Sequence, residues 1–173
     1  MVTQNVDGLH QRAGSRVVID LHGRLDTVVC RTCSERITRE QVQQAMASAN
    51  PGWQAVPVIA PDGDADIDPH RVSTFIAPRC PRCGGRLKPD VVFFGENVPG
   101  ERVEAARTAL AEADALLVAG SSLMVYSGYR FVRMAREAGL PVAIVNRGHT
   151  RADAEADLKV EGDVGEILAA AVT

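Results

Sequence analysis

Four cysteines, Cys30, Cys33, Cys80 and Cys83, account for every cysteine in the sequence and stand in two Cys-x-x-Cys pairs. Two pairs at this spacing can supply four thiolates to one tetrahedral Zn²⁺. Gly84 and Gly85 follow the second pair, where small residues let backbone amides turn toward the sulfurs. A closed four-thiolate site has no open coordination position, so one structural Zn²⁺ per chain is expected, doing no chemistry itself. Buried or redox-active thiols are the other reading of the same residues. His22, just before Gly23 at the end of a strand-like stretch, is a candidate general base because imidazole titrates near neutral pH. A hydrogen-bonded structural histidine is the plainer reading of a lone His-Gly. Gln4, Asn5 and Asp7 carry amides and a carboxylate suited to ribose hydroxyls, a carboxamide or a water, or else to strand ends and helix capping. Gly120-Ser121-Ser122 and Asn146-Arg147-Gly148 each follow an apolar run, where close backbone approach to a phosphate or ribose competes with an ordinary turn.

The elements that must position these residues follow from periodicity. Val2-Thr3-Gln4-Asn5 reads as the end of a buried strand, residues 7–15 as a short helix closed by a Gly C-cap, and residues 16–21 as a strand. From Lys88 the pattern becomes regular. Strands are expected at 91–94, 115–119 and 142–145, with a shorter one at 158–160, and helices at 101–113, 128–138 and 164–171. Continuous apolar strands alternating with helices predict an α/β fold with a parallel sheet covered on both faces. Ligands of such sheets sit beyond the carboxyl ends of the strands, where Gln4-Asn5, Gly120-Ser121-Ser122 and Asn146-Arg147-Gly148 fall.

Residues 25–88 have a different texture, with the cysteine pairs bracketing an insert. One helix is predicted from about Thr38 to Ala49, with Thr38 as N-cap and Gln41 in the capping-box position. After Asn50-Pro51-Gly52 the composition turns loop-like. Asp62, Asp64, Asp66 and Asp68 invite a calcium-loop reading, which fails because Ile67 stands where the loop needs Gly and Ser73 where it needs Glu. A solvated acidic loop is expected instead.

The 173 residues are 46% hydrophobic, enough for one sizeable core or a core with a small satellite, and the formal net charge is −3. No basic stripe is present for nucleic acid, and no apolar run approaches a membrane span. The expected compartment is the cytoplasm, or an organelle matrix if a targeting segment precedes the sequence.

Six motifs in order, Thr3-Gln4-Asn5-Val6-Asp7-Gly8-Leu9-His10, Leu21-His22-Gly23, the two cysteine pairs, Pro89-Asp90-Val91-Val92-Phe93-Phe94-Gly95-Glu96, Gly120-Ser121-Ser122-Leu123 and Val145-Asn146-Arg147-Gly148-His149-Thr150, resemble the sirtuins in order and spacing across essentially the whole chain. Asn50-Pro51-Gly52-Trp53, residues 60–64 and Tyr126-Ser127-Gly128-Tyr129-Arg130-Phe131 look most like the class II branch. The resemblance implies a Rossmann-like NAD-binding domain over 1–24 and 89–173, and a four-cysteine zinc module over 25–88. Sirtuins open with a strand and a Gly-Ala-Gly-type phosphate loop that this sequence lacks, so the sheet is expected to be N-terminally incomplete and the chain by itself to bind NAD poorly.

By that resemblance the activity is NAD-dependent removal of acetyl or longer acyl groups from lysine of a protein or peptide. The acyl oxygen attacks the ribose carbon as nicotinamide leaves, and His22 takes a proton from a ribose hydroxyl that then attacks the imidate. Lysine, nicotinamide and an O-acyl-ADP-ribose are released. The resemblance assigns Gln4, Asn5, Val6 and Asp7 to the nicotinamide pocket. It places Gly120, Ser121 and Ser122 at phosphate or ribose, and Asn146, Arg147 and Gly148 at the adenosine ribose, with Val164 at adenine. It implies that Val92, Phe94, Gly95 and Val125 contact the acyl-lysine peptide. Composition alone reads Val92 and Phe94 as core-strand residues and Val164 as an apolar residue opening a helix. A mono-ADP-ribosyltransferase, or a zinc-stabilised interaction module without catalysis, are the alternative activities.

Overall fold

A computed structural model describes residues 1–54, 58–59 and 65–172 of the chain. The strands are β1 (Val2–Thr3), β2 (Ile19–Asp20), β3 (Gly23–Cys30), β4 (Arg36–Thr38), β5 (Val58–Ile59), β6 (Ala65–Asp66), β7 (Leu87–Val91), β8 (Leu116–Ala119), β9 (Val142–Asn146) and β10 (Leu158–Glu161). The helices are α1 (Leu9–Arg12), α2 (Arg39–Ala49), α3 (Pro69–Ser73), α4 (Gly100–Ala111), α5 (Tyr126–Glu137) and α6 (Val164–Ala171), with a 3-10 turn at Asp153–Glu155. Contacts divide the chain into two units. Unit 1 comprises Met1–Gln4, Arg16–Leu21 and Phe94–Thr173, and unit 2 comprises Asn5–Ser15 and His22–Phe93. The boundaries expected from the sequence instead group 5–15, 22–24 and 89–93 with the sheet, and remain a proposal about folding units.

Unit 1 is α/β. Its three-stranded sheet runs in the order β10-β9-β8, all parallel, and β1 pairs with β2 in a second parallel ladder. Helix α5 makes the crossover from β8 to β9 that parallel neighbours need, whereas β9 and β10 are joined by a loop carrying the 3-10 turn. Leu21, Val132 and Ile144 are completely buried, and Ala106 and Leu110 of α4 and Phe131, Val132 and Ala135 of α5 join the same core. The i, i+4 spacing puts each helical pair on one face. Burying a side chain such as Ile144 contributes roughly 1.5–3 kcal/mol. The expectation that β8 is buried on both faces is corrected. Val118 is buried, but Leu117 is 53% exposed and Ala119 is exposed, so β8 alternates as an edge strand packed on one side.

In unit 2, β3 lies between β4 and β7 and is antiparallel to both. The strand expected at 91–94 forms at Leu87–Val91, and residues 92–95 leave the sheet. Pro89 is tolerated there because β7 is an edge strand and the register shifts between Arg24 and Val28 opposite it. Helix α2 starts as expected. Thr38 Oγ1 accepts from the Gln41 amide at 3.1 Å, and the Gln41 side chain accepts from the Thr38 amide at 3.0 Å. Asn50 then ties the helix end to the later chain, accepting from the Ile76 amide at 2.7 Å and donating to its carbonyl at 2.9 Å. Strand β5 pairs antiparallel with β6. Asp62 and Asp64 of the expected acidic loop lie outside the described residues, as does residue 63. No helix among the described residues is long and apolar enough to cross a membrane.

Candidate functional site

Two equivalent turns build the cysteine cluster in unit 2. In the first, Cys30 ends β3, and its carbonyl accepts from the Ser34 amide at 3.0 Å, with Ser34 at φ 60°. In the second, the Cys80 carbonyl accepts from the Gly84 amide at 2.8 Å, with Gly84 at φ 70°. Each turn closes through the residue four beyond its first cysteine in a left-handed conformation, free of strain for Gly and uncommon for Ser. The Cys30 amide donates to the Glu35 carbonyl and the Cys80 amide to the Gly85 carbonyl, both at 2.9 Å. Across the two turns the Arg31 amide reaches the Arg86 carbonyl at 2.9 Å, and Arg82 pairs with Glu35 at 3.0 Å.

The four sulfurs all lie within 4.8 Å of one another, with Cys30–Cys83 at 3.5 Å and Cys33–Cys80 at 3.8 Å. A tetrahedron of Zn–S bonds of ~2.3 Å has edges of about 3.8 Å, so these residues are positioned to bind one metal ion and the donor set fits Zn²⁺. Backbone amides of Cys33 and Thr32 bring the Cys30 thiol down to about 6. Crowding by the Cys33 and Cys30 sulfurs pushes Cys83 up to about 12. Four sulfurs that cannot all lose protons in one another's company can do so around a divalent cation. The packing has no slack: a Cβ on Gly85 would sit 2.8 Å from Cys30 Sγ and 2.5 Å from Thr32 Oγ1.

The residues expected to contact a dinucleotide fall in both units. In unit 1 the carboxyl ends of four strands come together. Gln4, just past β1, accepts at Oε1 from Ser121 Oγ at 3.1 Å, and Ser121 Oγ in turn accepts from the Leu123 amide at 3.2 Å. Gly120, at φ 66°, donates to the Val145 carbonyl at 2.9 Å, and a Cβ there would lie 3.7 Å from Val164 Cγ2. Asn146 is 8% exposed and donates to the carbonyls of Arg147 and Gly148 at 3.0 and 3.3 Å. Arg147 pairs with Asp163 at 3.2 Å, and Asp163 caps α6 through the amides of Gly165 and Glu166. Ser122 accepts at its carbonyl from the Arg151 amide at 2.9 Å. Phe94 is fully exposed, Gly95 is exposed at φ 84°, and Val125 is 49% exposed at the start of α5.

Asn5, Val6, Asp7, His22 and Val92 belong to unit 2. Asp7 accepts from the Leu9 amide at 2.9 Å in the turn before α1, whose N-cap position is Gly8 and carries no side-chain cap. The Val6 carbonyl accepts from the Leu25 amide at 2.9 Å. His22 is half-buried, and its carbonyl is fixed by the Val92 amide at 2.9 Å, directly before the Gly23 turn at φ 83°. The backbone passes from one unit to the other at Gln4–Asn5, Ser15–Arg16, Leu21–His22 and Phe93–Phe94.

Motif reading passes over two features that shape unit 1. A Cβ on Gly128 would lie 2.8 Å from Gln4 Oε1, so a side chain there would displace the Gln4 amide. Asp153 and Lys159 tie down the loop after β9, for which the Thr150-x-x-Asp153 spacing is the one sequence signal.

The Sir2 family model matches residues 1–127. An NAD-dependent protein deacetylase of Xanthomonas campestris pv. campestris is 58% identical over 98% of this chain and 58% of its own length. One of Bordetella bronchiseptica is 58% identical over 100% of this chain and 64% of its own. The mitochondrial NAD-dependent protein lipoamidase sirtuin-4 of Bos taurus is 48% identical over 97% and 54%. Among solved structures, Sir2 with a p53 peptide and NAD⁺ superposes with a TM-score of 0.74 at 32% identity, over 99% of this chain and 60% of that one. Sir2Tm bound to a propionylated peptide gives 0.76 at 32%, over 99% and 61%. The chain thus spans less than two thirds of the length of these proteins, and within that span motif, identity and fold agree: it belongs to the Sir2 family.

Proposed function

We propose that the complete gene product removes acyl groups from protein lysine at the expense of NAD, yielding nicotinamide and an O-acyl-ADP-ribose. The observation that carries this reading is the convergence in unit 1 of Gln4, Gly120, Ser121, Asn146, Arg147 and Val164 at the carboxyl ends of its parallel strands, where such sheets bind nucleotides. Relatives named as NAD-dependent deacetylases support the reaction. NAD supplies a ribose carbon from which nicotinamide can leave. Gln4, Asn5, Val6 and Asp7 orient the nicotinamide half. Gly120, Ser121 and Ser122 allow close approach of phosphate or ribose, Asn146, Arg147 and Gly148 hold the adenosine ribose, and Val164 faces adenine. His22 is the base that accepts a proton from a ribose hydroxyl, its backbone held by the Val92 amide. Phe94 and Gly95, fully exposed and in a turn, together with Val92 and Val125, receive an acyl-lysine peptide. The metal holds unit 2 and takes no part in the chemistry. A relative named as a lipoamidase supports acyl groups longer than acetyl. Four unpaired thiols favour a reducing compartment, the cytoplasm.

The test is nicotinamide release by the complete gene product from acetylated and lipoylated peptides, with product identification. Release with O-acyl-ADP-ribose is expected. ADP-ribose attached to protein without deacylation would favour the transferase, and no release with any acyl-peptide would defeat the reading.

A further inference from the structure

The loop between β9 and β10 is held by one carboxylate. Asp153 Oδ1 accepts from Thr150 Oγ1 at 2.5 Å and from the Thr150 amide at 3.2 Å. Its Oδ2 lies 2.6 Å from Lys159 Nζ and 2.7 Å from His149 Nδ1. Thr150 is fully buried and the Asp153 and Lys159 side chains are each 22% exposed, so their contacts are shielded from the solvent that weakens surface pairs, whereas His149 is 79% exposed. Lys159 and Thr150 together hold the Asp153 carboxyl well below the ordinary carboxylate range.

The same lysine reaches further. Lys159 Nζ donates to the Gly148 carbonyl at 3.0 Å, and that carbonyl also accepts from Asn146 Nδ2 at 3.3 Å. Gly148 is at φ 80°, a backbone state that local preference does not enforce. A continuous path therefore runs from Asp153 through Lys159 to the Gly148 carbonyl and on to the Asn146 side chain.

We propose that Asp153 is a positioning residue for the adenosine half of the dinucleotide: with Lys159 it fixes Asn146–Gly148 in the ribose-holding conformation before ligand arrives. The inference rests on the assignment of Asn146–Gly148 to the adenosine ribose. Asp153 itself touches no ligand. A loop ordered in advance spends less binding free energy on ordering, so affinity for ligands that use the loop depends on the anchor.

The experiment compares wild type, Asp153→Asn and Lys159→Met in the complete gene product. Calorimetry gives the affinity for ADP-ribose and, separately, for an acetyl-lysine peptide. Mass spectrometry follows amide exchange over residues 147–150. Both variants should weaken ADP-ribose on the order of tenfold, the equivalent of one charge-assisted hydrogen bond. Peptide affinity should be unchanged, and exchange should quicken in 147–150 but not in β9. A merely structural defect would weaken both ligands together and lower protection throughout unit 1, overturning the proposal. If Asp153→Asn does not fold, Lys159→Met, which keeps the Thr150 bonds, decides alone. Equal ADP-ribose affinity in variants and wild type sinks this inference and leaves the proposed function standing. A wild type that does not bind ADP-ribose sinks both.

Discussion

The two units solve the stability problem by different means. Unit 1 gathers Leu21, Leu110, Phe131, Val132, Val142 and Ile144 into one apolar core between parallel strands and helices. In unit 2, the buried apolar residues among those described are Val28 and Val42 with two of the cysteines, Cys30 and Cys80. A module with so little apolar burial does not offset the conformational entropy of its turns by hydrophobic burial alone. The contrast predicts that in unit 2 a metal held by the four cysteines stands in for a core, so that metal binding and folding are there one equilibrium.

The largest test of this contrast is metal removal. One equivalent of zinc should accompany the purified protein. Chelation or Cys80→Ser should collapse exchange protection across β3, β4 and β7 while leaving β8 and β9 protected. Structural zinc sites bind with roughly 10–16 kcal/mol in small peptides at neutral pH, more than a module of this kind can replace. Protection of β3 that survives a metal content near zero would break the comparison. Gly85→Ala should act in the same direction, because the added methyl meets the Cys30 sulfur.

A smaller effect is expected in the opposite unit. Ile144→Ala, at a completely buried position, should cost about 2–5 kcal/mol in the melting of unit 1. Zinc content should stay at one equivalent, and loss of zinc in this variant would mean that the two units do not stand independently.

The smallest effect concerns acid. The Asp157 carboxyl is held low by the Val142 amide and then by Arg136, and Asp153 by Lys159 and Thr150. Groups with depressed folded values stabilise above the ordinary carboxylate range, about 3.9, and lose that contribution as pH falls through it toward the folded value. Unit 1 should therefore weaken below about pH 4, and Asp157→Asn should flatten that dependence. Unit 2 should yield at milder acidity, because protons compete with the metal for thiolates. Melting followed against pH, with zinc release recorded in parallel, checks the order. Simultaneous loss of both units would contradict it.

Much of this architecture was legible wherever the signal is local. Thr38 and Gln41 announce the start of α2 because a capping box is complete within four residues. The cysteine pairs announce their cluster because each turn closes within a few residues, although α2 and α3 lie between them. The apolar runs at 115–119 and 142–145 announce parallel strands, which form at Leu116–Ala119 and Val142–Asn146. What escaped depends on distant partners. The strand expected at 91–94 lies at 87–91 because β3 supplies its hydrogen bonds, and an edge position makes Pro89 acceptable. Leu117 looks like core but faces outward, since an apolar run does not say how many faces are covered. Residue types drew attention to Gln4, Ser121 and Asn146, and only the family resemblance to Val164, whereas the fit of Gly128 against Gln4 and the Asp153–Lys159 anchor exist only once the chain is folded.

His22 is proposed as the base of the deacylation. The most direct measurement is His22→Ala in the complete gene product, with calorimetric NAD affinity measured beside O-acyl-ADP-ribose formation from an acetyl-lysine peptide. NAD affinity within a fewfold of wild type is expected, with a product rate lower by on the order of 100-fold or more, the range for loss of a positioned base. Wild-type turnover in the variant, or loss of NAD binding in step with activity, would contradict it.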